Sequence, residues 1–173
     1  MIWFWYFVLY SFLGFLLEVA YARATGGRPD RKCLLVLPLC PVYGLGACAI
    51  LLLPRWIAAQ PLLLIFFGGL VATGAEYAAS LVYEKGLGVS FWDYQGLPGS
   101  FQGRVCPAFS LAWGTLALVL VRWVHPLLMP LLLNIPVPVT WLALATVTTD
   151  LLLSAILLRR TGDRAVLRWY RQA

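Results

Sequence analysis

PLLLIFFGGLVATGAEYAASLVY, running from Pro61 to Tyr83, is the stretch that decides the fold. It holds a single charged residue, Glu76. As a helix it would rise about 35 Å at ~1.5 Å per residue. The hydrocarbon core of a bilayer is about 30 Å thick and needs about 20 apolar residues to cross. Water would not tolerate so apolar a surface, so the segment reads as a membrane span.

Four more stretches of this kind flank it: Ile2 to Ala22, Leu34 to Leu53, Val105 to Val124 and Val137 to Leu158. Pro38 and Pro41 interrupt the first turns of the Leu34 segment, because proline lacks a backbone N–H and breaks a helix interior. An irregular or re-entrant entry is therefore expected there. Ala20-Tyr21-Ala22 has the small-x-small pattern of a signal-peptidase site, but no Lys or Arg precedes Arg23. Without a basic n-region the first segment reads as a retained helix.

The composition agrees. The 173 residues are 62% hydrophobic and 12% charged, against about 25% charged in soluble domains. The expected fold is all-α: one transmembrane domain over residues 1–158, a bundle of about five helices with a cytoplasmic loop at about 84–104, followed by a basic tail, 159–173. The net charge of +6 does not point to nucleic acid, since the basic residues fall between hydrophobic runs and form no stripe on a soluble face.

Those charges set an orientation. With five spans, one side receives Arg23, Arg28, Arg31, Lys32, Lys85, Arg104, Arg159, Arg160, Arg164, Arg168 and Arg171, and the other receives Arg55 and Arg122. Positive loops stay in the cytoplasm, which places the N-terminus outside and the C-terminus inside, in a cell (inner) membrane. Arg160, Arg164, Arg168 and Arg171 fall near one face of the tail, suited to anionic lipid headgroups.

Acidic residues within spans are costly and mark function or a buried network. There are three: Glu18, Glu76 and Asp150. Each lies in the later half of an outside-to-inside span, on a stripe of small or polar residues at helical spacing: Ser11, Gly14, Glu18, Tyr21; Gly69, Thr73, Glu76, Ser80, Tyr83; and Thr146, Asp150, Ser154. The expectation is one shared polar interior in the cytoplasmic half of the membrane. Cys40 and Tyr43 enter it from the second span. Trp92, Asp93, Tyr94 and Arg104 enter it from the long loop. Arg104 is expected to neutralise one of the acids, and Lys85 another, leaving at least one carboxylate for a bound cation or a proton.

Cys33, Cys40, Cys48 and Cys106 include no C-x-x-C pair, and His125 is the one histidine. A structural zinc site is not expected. Neither is a disulfide on a cytoplasmic loop, so the thiols read as small apolar side chains. No cofactor is assigned. No G-x-x-x-x-G-K-[ST] phosphate loop occurs, so the chain is not itself an ATPase.

Several motifs run together through most of the chain: Ser11-Phe-Leu-Gly-Phe-Leu-Leu-Glu18, Cys40-Pro-Val-Tyr-Gly44, Glu76-Tyr77, Glu84-Lys85, Trp92-Asp-Tyr94, Gly103-Arg-Val-Cys106 and Trp113-Gly114. In these the chain resembles the ABC-transporter type IV membrane family. The departures are Phe15 and Leu37, where Trp and Gly are usual, and neither falls in the polar set. The resemblance implies a transporter component that would need a separate ATPase subunit. Three functions stand beside one another. The first is a transporter or small permease whose acidic site takes a cationic solute or protons. The second is an enzyme acting on lipid headgroups, with Asp93 or Glu76 as base, Arg104 on a phosphate and Cys40 as nucleophile. The third is a structural or regulatory membrane partner, and a bundle of this size is compatible with an oligomer.

Overall fold

The computed structural model describes residues 1–26 and 33–167. It is helical throughout, and among the described residues extended pairing is confined to one bridge, Phe101 to Val105. The helices are α1 (Ile2–Ala24), α2 (Pro41–Leu51), α3 (Arg55–Ala59), α4 (Pro61–Val82), α5 (Pro107–Val119), α6 (His125–Leu132) and α7 (Val137–Thr161). A π-helical turn, Tyr83–Leu87, prolongs α4, and a second, Leu120–Val124, joins α5 to α6. The second turn has a local cause. Pro126 has no N–H to offer the Arg122 carbonyl, so the helix must shift its hydrogen-bond register there.

Four helical segments are long and apolar enough to cross a membrane: Ile2–Ala24, Pro61–Leu87, Pro107–Leu132 and Val137–Thr161. The fifth element, α2, is shorter. Residues 34–40 are bent chain, and helix begins at Pro41, where a proline is at home in the first turn. The irregular entry follows from Pro38 and Pro41. The chain is a polytopic membrane protein.

Neighbouring helices pack in the order α1, α2, α4, α5. α4 and α5 approach backbone to backbone, because a side chain at Gly114 would collide with the Ile65 carbonyl. Such small-residue contacts are how helices associate in lipid, where the hydrophobic effect supplies no drive. α7 stands to one side. Trp5 donates to Thr140 Oγ1 (3.0 Å) near one end, and Leu158 joins Leu35, Tyr83 and Phe91 in a buried cluster at the other.

The ends alternate. The loop 88–106 and the end of α7 lie together, with Phe91 and Leu158 in one buried cluster. The connectors 52–60 and 133–136 lie at the opposite end, where Arg122 donates to the Ala59 carbonyl (2.6 Å). Arg28, Arg31, Lys32, Arg168 and Arg171 lie outside the described residues. The described part of the tail is a 3-10 turn, Arg164–Leu167. Arg164 donates to the Phe91 carbonyl (3.1 Å), which ties the tail to the long loop.

The thiols require a correction. Cys33 and Cys40 do not act as isolated apolar side chains but are joined as a disulfide, with Cα atoms 4.8 Å apart. The bent chain between them brings its ends together. The Cys40 N–H is fixed on the Ser11 carbonyl (2.9 Å). Cys48 and Cys106 are free thiols.

Candidate functional site

A cavity of about 820 Å³ lies between α1 and α5, with α2 and α4 as its floor and part of the long loop across one end. Of the residues expected at a site, it gathers Glu18, Tyr43, Glu76, Trp92, Asp93 and Tyr94. Cys40, Arg104 and Asp150 do not line it.

Glu18 and Tyr43 form one side. The Tyr43 hydroxyl donates to Glu18 Oε1 (2.6 Å). α1 admits the Tyr43 ring at Gly14, where a Cβ would run into it. The Ser11, Gly14, Glu18 stripe therefore works as a groove for α2 with an acceptor at its end.

Glu76 forms the other side and is 5% exposed. Its Oε1 accepts from the Tyr94 hydroxyl (2.9 Å) and its Oε2 from Trp113 Nε1 (3.0 Å). Both oxygens are thus engaged by hydrogen bonds. Burial, and then the neighbouring Glu76 carboxylate, push the Tyr94 phenol well above the ordinary tyrosine range, so Tyr94 remains a protonated donor. The two glutamates are close enough for their charges to interact.

The loop that closes this end is ordered by its own contacts. Tyr94 N–H donates to the Gly103 carbonyl (2.8 Å), and Trp92 Nε1 donates to the Arg104 carbonyl (2.9 Å). Asp93 Oδ1 accepts from Gln95 N–H (2.9 Å) in a local turn. Trp92 is therefore held partly by packing on Tyr83, with its ring at the cavity edge.

Arg104 does not neutralise Glu18 or Glu76. It pairs with Glu84, donates to Gln102 Oε1 (2.6 Å) and lies over the Tyr77 ring. Glu84 follows α4 closely enough to face the returning loop, and it offers Arg104 a nearer partner than the cavity does. Lys85 is exposed. Asp150 serves the backbone: it accepts from the N–H groups of Val36 (3.1 Å) and Leu37 (2.7 Å) and from Ser154 Oγ (3.0 Å). The bent chain before α2 has no helical partners for those N–H groups, and Asp150 supplies them. The acidic trio thus divides into a cavity pair and a separate cap.

Three cavity residues were not foreseen as a site: Trp113, Phe109 and Tyr10. Phe109 stacks on Tyr94 with centroids 4.7 Å apart. Trp113 meets Tyr43 edge to face at 5.5 Å. Tyr10, toward the other end, is bonded to His125 Nδ1 (2.7 Å). A usable signal existed for Trp113, since an indole N–H within a span needs an acceptor.

A bundle with four helical segments long and apolar enough to cross a bilayer defines a multi-pass membrane protein. The chain belongs to the family described as "Putative ABC-transporter type IV", whose model matches residues 5–157. Among curated proteins and among solved structures, nothing matches it.

Proposed function

We propose that the chain is the membrane component of a transporter and that its cavity binds a cationic solute through Glu18 and Glu76. One observation carries this reading: both carboxylates line the cavity, and among the described residues neither has a cationic partner, the one ion pair there being Arg104 with Glu84. Uncompensated negative charge in a low-dielectric space favours a bound cation over an empty site. Tyr43, Tyr94 and Trp113 hold the carboxylates by donating hydrogen bonds, which fixes their positions without cancelling their charge.

The excess of Lys and Arg at the site end favours a cytoplasmic location for that end and an external N-terminus. Glu18, Glu76, Trp92, Asp93 and Tyr94 then open toward the inner leaflet of a cell membrane. Arg159, Arg160 and Arg164 sit where anionic lipids would meet them. Lacking a phosphate loop, the chain would draw on a separate ATPase subunit.

The test is equilibrium binding of radiolabelled monovalent cations, organic and inorganic, to the purified protein in lipid nanodiscs, with and without Glu18→Gln. Gln keeps an oxygen for the Tyr43 hydroxyl, so the fold should survive. Removing the charge should weaken binding about tenfold or more, the low end of close charge-pair couplings. Saturable binding that is the same in both proteins, or no cation bound by either, refutes the reading.

A further inference from the structure

We infer that the cavity's ligand is an amphiphilic organic cation, an alkylammonium head with an apolar tail, received sideways from the bilayer between α1 and α5. This rests on the cation-binding reading above and narrows it to a chemical class.

The first argument concerns the head. An inorganic ion needs several oxygen or nitrogen ligands around one point. No group of three or more His, Cys, Asp and Glu side chains comes together among the described residues. Beside the two carboxylates stand aromatic faces instead. Tyr43, Trp113, Phe109 and Tyr94 form a linked set, with Tyr43 edge-on to Trp113 and Phe109 stacked on Tyr94, and all four line the cavity. Aromatic faces with nearby carboxylates suit a weakly hydrated ammonium, which they attract through the ring quadrupole.

The second argument concerns the tail. The cavity extends away from the acids along Leu13, Ala47, Ile50, Leu120 and Val124. From Trp113 to Val124 on the α5 side that is about 16 Å of helix at ~1.5 Å per residue. The volume of about 820 Å³ falls in the range of sites for drug-sized molecules, roughly 300–1,000 Å³. A small ammonium would leave most of it empty. Gly46 marks the floor: it is buried, yet a Cβ there would meet nothing within 4 Å, because it faces this space.

The third argument concerns the route. Leu17 of α1 and Leu116 of α5 both line the cavity and are 38% and 36% exposed, so the cavity is open along that side. α7 contributes none of the lining and covers another face of the bundle. In a membrane the opening meets acyl chains, which an alkyl tail can join and a hydrated ion cannot.

The experiment compares tetramethylammonium with decyltrimethylammonium, both radiolabelled, binding to the full chain in nanodiscs after subtraction of empty discs. Wild type, Glu18→Gln and Gly46→Leu are measured. Leucine at position 46 takes up cavity volume, since a Cβ there meets nothing within 4 Å, and suits a helix better than glycine. Decyltrimethylammonium should saturate and bind about tenfold or more tighter than tetramethylammonium. Gly46→Leu should weaken the decyl compound about tenfold and tetramethylammonium by less, and Glu18→Gln should weaken both. Equal affinity for the two cations in wild type, or a decyl compound indifferent to Gly46→Leu, overturns the amphiphile while leaving the cation site standing. Saturable binding of neither removes both.

Discussion

Changing Glu76 to Gln separates a charge that serves a ligand from one that serves the fold. The carboxylate takes one hydrogen bond on each oxygen, from Tyr94 (2.9 Å) and from Trp113 (3.0 Å). An amide has a single oxygen, so one donor loses its acceptor and faces an NH₂ group. Hydrogen bonds to charged groups contribute about 1.5–3 kcal/mol in soluble proteins, whereas side-chain bonds inside membranes average nearer 0.6 kcal/mol. About 1–2 kcal/mol is a fair figure for the lost bond and unpaired donor together. On the other side, Glu76→Gln removes a buried charge that has no cationic partner, a burden of several kcal/mol even after relaxation. The two effects oppose, the second being the larger, and the variant should lie at or above the parent. Tyr94→Phe loses one bond, keeps the Phe109 stack and retains the charge. It should therefore be the less stable of the two, by about 1–2 kcal/mol below the parent. Mixed-micelle denaturation of both variants, with cation binding measured alongside, gives the ordering. Glu76→Gln falling well below Tyr94→Phe while binding cations normally would mean that the carboxylate holds the helices together and does nothing for a ligand.

Asp150→Asn should lower stability by about 1–2 kcal/mol, because an amide has one oxygen for two backbone N–H groups, yet cation binding should be unchanged; a selective loss of binding would return Asp150 to the site. Maleimide labelling of the air-purified, unfolded chain should count two thiols, Cys48 and Cys106, rising to four after reduction; four before reduction would dispose of the Cys33–Cys40 bond. The cytosol keeps thiols reduced, so if the proposed orientation holds, this pair is open in the cell and closes on purification.

The spans were legible because hydrocarbon imposes a strong and nearly local rule. α1, α4 and α7 begin where the apolar runs begin, at Ile2, Pro61 and Val137, and Pro41 marks the start of α2 as its chemistry requires. The Glu18 to Tyr43 and Glu76 to Tyr94 pairings lie within reach of the same kind of reasoning, since a stripe of small residues ending in an acid must face a neighbouring helix. What could not be read was which partner each charged group would find. Arg104 has Glu84, Glu76, Glu18 and Asp93 all at plausible sequence distances, and backbone geometry alone selects Glu84. Asp150 depended on the rotation of α7 and on two N–H groups more than a hundred residues away. Phe109 and Tyr10 looked like any lipid-facing aromatic, because a hydrophobic wall of a cavity and a hydrophobic outer surface have the same composition.

The shortness of α2 bears on the membrane itself. Eleven helical residues rise about 16 Å, roughly half the ~30 Å that its neighbours traverse. The connector that follows carries Arg55 and Trp56, both of which prefer the headgroup layer. Yet Cys48 lies against the Trp3 carbonyl in the first turn of α1, so the end of α2 that carries this connector reaches as far as its neighbours do. The missing turns are at the Cys40 end, which is tied to Ser11 halfway along α1, and there bent chain takes the place of helix within the thickness of the bilayer.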